Sequence, residues 1–349
     1  MIEIRNRTNH RGNRANAFIM LALLLLVTAV SATAQRKTKK ELAGYDRASR
    51  ATVVHPAIVY LTAEDNAGHV SEVLPGHEVV VMERNGPWVR VFANTDLNEE
   101  NGEGDTPEFS TDADATPESG WIKDKGVVSS ATPKGDVILF GTAAGFEAMA
   151  AQPHAPKDAA DEARRLYRRV VDYFPDSPLA PEAQYRSADV RWQMDRADIH
   201  TLPSAKEQDA YLRPQIYDGE MKKIIKQYPN SKYAALADWD LIDNKLCGDW
   251  QGLPKCPEME TGLYQKYAER YPDSPKAAQA LYEATYRQGV LVSMYGEDDR
   301  HRAQQAAANA QALATLMQQK YPQSDYTARA ASIAFRVRQD VPIYGNDRE

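Results

Sequence analysis

Apolar positions follow three different rhythms along the chain. From Ala15 to Ala34 no side chain is ionised, and the densest stretch, Phe18–Val27, is uninterrupted by polar residues. Between about 51 and 130 they fall in short, β-branched runs separated by turn residues. Thr52–Val54, Ala57–Leu61, Glu78–Met82, Trp88–Phe92 and Gly120–Lys123 predict strands. Asn85-Gly86 predicts a type I′ hairpin turn, because both residues tolerate positive φ. From about 140 onward the period lengthens to that of helices. Leu166, Tyr167, Val170, Val171 and Phe174 form one stripe, and Met221, Ile224, Ile225 and Tyr228 form another. The change of rhythm near residue 130 predicts an all-β domain followed by an all-α one.

The helical part repeats. An aromatic-Pro-x-Ser unit occurs at Phe174–Ser177, Tyr228–Ser231, Tyr271–Ser274 and Tyr321–Ser324. The fifth residue after each proline is Ala180, Ala234, Ala277 or Thr327, and the eighth is Ala183, Ala237, Ala280 or Ala330. The proline ends a first helix. Ser177-Pro178 and Ser274-Pro275 then supply an N-cap and a first-turn proline for a second. The small residues let the two helices approach closely, so each unit is expected to be a helix hairpin. Ala197–Ala205 and Cys247–Pro257 are expected to be loops between them.

Arg5, Arg7, Arg11 and Arg14 precede the apolar run, and Ala32-Thr33-Ala34 closes it before Gln35. That order predicts a signal peptide cut between Ala34 and Gln35, hence a periplasmic protein with at most peripheral membrane association. The alternative is a single-pass anchor formed by residues 15–34, since the run is about the ~20 residues a bilayer needs. The chain carries 42 Lys and Arg against 49 Asp and Glu, a formal charge of −7, so no basic field exists to hold nucleic acid. Residues 94–119 hold nine acidic residues, Asp96, Glu99, Glu100, Glu103, Asp105, Glu108, Asp112, Asp114 and Glu118, and no basic one. They predict a solvated insert. Asp96, Asn98 and Glu100 alternate as in a calcium loop, but Gly102 is displaced and Pro107 stands where the bidentate glutamate belongs.

Leu74–Val81, Asn85–Val91 and Gly120-Trp121-Ile122 together resemble the bacterial SH3-like domain, over about residues 50–128. The four Tyr/Phe-Pro-x-Ser units with their alanines resemble tetratricopeptide repeats. They are similar to the divergent periplasmic type of the BamD outer-membrane assembly lipoproteins and the YbgF-type division coordinators. Their spacings of 54, 43 and 50 residues exceed the ~34 of a regular repeat. The residue patterns and the resemblances together divide the chain into a signal peptide (1–34), a basic linker (35–50), a small all-β SH3-like barrel (51–130), a connecting helix (131–158), an all-α repeat solenoid (159–341) and a tail (342–349).

In an oxidising compartment Cys247 and Cys256 are expected to form a disulfide that pins their turn-rich loop; the spacing is not that of a redox motif, and two free thiols are the remaining alternative. His10, His55, His69, His77, His154, His200 and His301 make no metal spacing, and surface placement explains them. No nucleophile elbow, phosphate loop or dinucleotide fingerprint occurs, so neither catalysis nor a cofactor is expected. Tyr60, Trp88 and Trp121 serve either as packing or as a stacking surface for a peptide or glycan. Arg164, Arg165, Arg168, Arg169, Lys222, Lys223 and Lys226 lie on first helices. The repeat resemblance implies that first helices line the concave face, which would make these residues a basic groove; a solvated charged face is the plainer reading. The expected function is therefore a non-enzymatic envelope scaffold that binds a protein or peptide. The rival is a peptidoglycan-targeting module acting through the barrel, with the repeats as spacer.

Overall fold

A computed structural model describes residues 49–97 and 118–345 of the protein. The export signal, its Ala34–Gln35 junction, most of the basic linker and residues 98–117 of the acidic insert lie outside the described residues. Two compact units divide at Gly135/Asp136, an all-β one followed by an all-α one.

The first unit is an antiparallel sheet of seven strands: β1 (Arg50–Val53), β2 (Ala57–Tyr60), β3 (His69–Val73), β4 (Glu78–Asn85), β5 (Trp88–Ala93), β6 (Glu118–Lys123) and β7 (Val127–Ser129). Their order is β3-β2-β6-β5-β4-β1-β7. Ala51 and Val53 of β1 share one buried cluster with Val59 of β2 and Val73 of β3, from the far end of that order. The sheet therefore curls around its own apolar face. Gly120 lets β6 approach β2, since a Cβ there would lie 2.7 Å from the Tyr60 carbonyl oxygen. The turn between β4 and β5 differs from expectation. Asn85 stays in the strand opposite Trp88, and Gly86 (φ 57°) and Pro87 form the two-residue loop. Glycine first with proline second suits a II′ turn, because proline cannot supply the second positive φ of I′.

Asp96 is the other departure. The acidic run places it in a solvated insert, and the histidine pattern places His77 on the surface. Instead both are buried, with His77 Nδ1 3.2 Å from Asp96 Oδ1. The neighbouring Thr95 hydroxyl donates to Glu78 at 3.0 Å, so the first residues of the insert belong to the folded unit.

Nine helices follow among the described residues: α1 (Gly135–Ala150), α2 (Ala159–Tyr173), α3 (Ala180–His200), α4 (Gly219–Gln227), α5 (Lys232–Asp240), α6 (Lys255–Arg270), α7 (Ala277–Tyr295), α8 (Arg300–Lys320) and α9 (Asp325–Arg338). α2 pairs with α3, α4 with α5, α6 with α7 and α8 with α9. The four junctions have one hydrogen-bond pattern. The N–H groups of Phe174, Tyr228, Tyr271 and Tyr321 close the last turn of the first helix at 2.8–2.9 Å, and their carbonyls accept from Ser177, Ser231, Ser274 and Ser324 at 3.0–3.1 Å. Ser231 and Ser324 cap α5 and α9 directly. Ser177 and Ser274 also accept from an N–H two residues on, but a tight turn closed on their carbonyls comes first. Regular helix therefore starts at Ala180 and Ala277. The fifth and eighth residues after each proline are all buried at the helix–helix contact, with Ala183, Ala237, Ala280 and Ala330 fully so.

α3 runs on to His200, so its loop begins four residues later than expected. Arg213 is buried and pins that loop to the next, with Nε 3.0 Å from the Ala205 carbonyl and Nη1 2.6 Å from that of Leu246. The chain does not trail away after 341 either: Ile343 is buried, and its N–H donates to Ser293 Oγ at 3.0 Å. Among the described residues no helix is long and apolar enough to cross a membrane.

Candidate functional site

A groove of about 480 Å³ opens in the helical unit. One wall is a single face of α3, on which Tyr185, Asp189, Trp192, Arg196 and His200 recur at steps of three and four. The other walls come from Trp239 and Asp240 of α5, Asp243 just after it, Tyr264 of α6, and Lys276, Gln279, Glu283 and Arg287 at the start of α7 and along it. The second helix of three successive hairpins thus supplies most of the site.

The floor near α6 and α7 is held by a buried ion pair. Arg287 (2% exposed) places Nε 2.8 Å from Glu260 Oε2 and Nη1 2.7 Å from Glu283. Its guanidinium lies over the Tyr264 ring at 4.5 Å and the Trp250 ring at 5.5 Å. The other oxygen of Glu260 accepts from the Cys247 N–H at 2.8 Å and from Trp250 Nε1 at 3.3 Å. Both carboxylate oxygens are therefore satisfied, as a buried charge requires. Cys247 and Cys256 are joined by a disulfide, Cα atoms 6.1 Å apart, closing the loop that carries Trp250.

The opposite side is less balanced. Asp189 accepts from Gln193 at 3.1 Å, and Asp240 from the Tyr185 hydroxyl at 3.1 Å. Among the described residues neither carboxylate forms an ion pair with a Lys or Arg. Burial, then the charge of Asp189, push the Asp240 carboxyl up to about 7. Asp189 is raised by the same burial, and Glu147 adds to it. Lys276 acts on both from a distance, its Nζ 3.3 Å from Gln279 Oε1 and 5.5 Å from the centre of the Trp239 ring. Arg196 is paired with Asp243 at 3.4 Å.

None of the seven basic residues singled out on first helices lines this groove. Arg165 and Arg169 are buried, and Arg169 pairs with Asp172 at 3.1 Å. Arg164 and Arg168 lie 3.9 Å from Asp161 and Asp172. Lys222, Lys223 and Lys226 are exposed on α4, Lys222 beside Asp218 at 2.6 Å. In the sheet unit Trp88 is buried, covered by the Tyr60 ring at 5.3 Å and by Lys123 Nζ at 4.0 Å. Tyr60 and Trp121 sit opposite each other in register, half-buried on that same face, and His69 is exposed with its ring edge-on to Tyr60 at 5.0 Å.

Sequence reasoning missed the groove residues, although a signal was there. The tenth residue after the repeat proline is Tyr185 or Trp239 in the first two units, and the eleventh is Asp240 or Glu283 in the second and third, all four of them on the groove. No protein-family model matches the chain, and no curated protein matches it significantly.

Proposed function

We propose that the chain is a non-enzymatic, exported scaffold of the bacterial cell envelope that takes a segment of an envelope protein into the groove between α3, α5 and α7. In this reading the hairpins are divergent tetratricopeptide repeats, the sheet is an SH3-like barrel, and the role belongs to outer-membrane protein assembly or to the coordination of envelope growth. The observation that carries it is the groove, an aromatic and polar trough whose size suits a bound segment's side chains. Four junctions with one hydrogen-bond pattern support the repeat assignment. The charged-then-apolar N-terminus and the disulfide support an oxidising compartment.

The test is photo-crosslinking in cells that make the protein, with the reactive side chain at Gln193 or Gln279 in the groove and at Lys223 on α4 as control. A protein species trapped from both groove positions and not from α4 is expected. Equal trapping from all three positions, or none from the groove, overturns the assignment. A cell-wall targeting role is the second reading, favoured by the shared face of Tyr60 and Trp121. Cosedimentation of the full chain with purified sacculi, abolished by Trp121→Ala, would put it in place of the first.

A further inference from the structure

The charges in the groove do not cancel evenly, and the imbalance says what should bind. On the side of α6 and α7, Arg287 is shared between Glu260 and Glu283, and Arg196 of α3 pairs with Asp243. Glu260, Glu283 and Asp243 thus each have a cation beside them, although the buried Arg196 Nε makes no hydrogen bond among the described residues. Among the described residues Asp189 and Asp240 have only neutral hydrogen-bond donors, Gln193 and Tyr185. The ammonium facing them is that of Lys276, held beside Gln279 and the Trp239 ring rather than in an ion pair with either carboxylate. Beside them stand Trp192, Tyr185 and Trp239, whose ring faces and apolar edges suit an alkyl stem ending in a cation.

We propose that the groove anchors its partner through a lysine or arginine side chain of an extended segment, the cation seated between Asp189 and Asp240 and the stem against Trp192 and Trp239. The proposal rests on the groove being the partner site. An acidic anchor would meet two carboxylates that already repel each other, and an apolar one would leave both buried and uncompensated. A basic side chain supplies the direct ion-pair partner that neither carboxylate has among the described residues. Binding also favours the ionised form of Asp240, so it releases a proton and tightens as pH rises from 6 to 8. The other charged and titratable groups facing the pair are Glu147 of α1, Arg186, Arg196 and His200 of α3, Asp243, Tyr264 of α6, Lys276 just before α7, and Glu283 and Arg287 of α7. Of these, Arg196 and Lys276 oppose the upward displacement of Asp240.

The experiment uses the full chain and three ten-residue peptides identical except for a central lysine, glutamine or glutamate, titrated calorimetrically at pH 6 and pH 8. The lysine peptide is expected to bind about tenfold more tightly than the glutamine peptide at pH 8, a difference of about 1.4 kcal/mol, and the gap is expected to narrow at pH 6. Asp189→Asn with Asp240→Asn removes the preference. Lys276→Met, which deletes the competing ammonium and does not depend on the double variant folding, strengthens lysine-peptide binding. Equal binding of lysine and glutamine peptides, tighter binding of the glutamate peptide, or no measurable binding by any of them overturns the basic anchor. Crosslinking from Gln193 then decides separately whether the groove itself is still the partner site.

Discussion

Asp240→Asn is expected to stabilise the helical unit at pH 8 and to leave it nearly unchanged at about pH 3.5. In the folded protein this carboxyl titrates near 7, against 3.8 when free of the fold, because it is buried and faces Asp189. Between those two values the native state binds the extra proton, so stability falls as pH rises through the interval and stays at the lower level above it. A displacement from 3.8 to about 7 corresponds to a ceiling of about 4 kcal/mol. The groove is open to water and Asp189 shares the repulsion, which brings the working figure to about 1–2 kcal/mol. The amide of the variant keeps an acceptor for the Tyr185 hydroxyl and gains a donor facing Asp189. For a unit of this size about 1–2 kcal/mol moves the midpoint by roughly 2–8 °C. Thermal melts of both proteins followed by circular dichroism at half-unit steps from about pH 3.5 to about pH 8.5 give the comparison. The two curves should part from about pH 4 and run parallel by about pH 7.5. A constant gap across the whole range, or a variant less stable at pH 8, would refute the argument that an uncompensated carboxylate sits there.

Three further outcomes concern buried groups. Gly120→Ala drives a methyl into Val59 and the Tyr60 carbonyl, and chemical denaturation should show a loss of about 1–3 kcal/mol in the sheet unit. Glu260→Ala leaves Arg287 short of its main counter-ion and orphans the Cys247 N–H and Trp250 Nε1; the expected cost is about 3–5 kcal/mol, read from urea midpoints. Treatment with a dithiol should lower the stability of the helical unit by about 2–3 kcal/mol, accompanied by a change in Trp250 emission. An unaltered midpoint under reducing conditions would count against a structural disulfide.

The helix junctions were legible because their causes are local. Proline removes a donor, serine caps the second helix, and small residues five and eight places on must lie at the closest contact, as Ala180, Ala183, Ala277 and Ala280 do. Five strands were legible for the same reason. β3 and β7 were not, since His69-Val-Ser-Glu-Val carries little apolar weight and becomes a strand only by pairing with β2, and Val127–Ser129 is a short run that becomes one by pairing with β1. Asp96 looked like part of a solvated acidic run because its partner, His77, lies nineteen residues away. The groove was obscured by a similar cause. Its residues come from three hairpins, each contributing one face of a second helix, while the eye is drawn to the dense Arg and Lys runs on the first helices. Those runs are spent on neighbours such as Asp161, Asp172 and Asp218.

Arg287 is at once part of the groove wall and the counter-ion of a carboxylate whose far oxygen grips a covalently closed ring. It cannot swing outward to follow a departing guest without baring Glu260 in a dry interior. That bank of the trough is therefore fixed masonry, and any give that admits or releases a guest has to come from the opposite bank, where among the described residues Asp189 and Asp240 each accept one hydrogen bond from a neutral side chain.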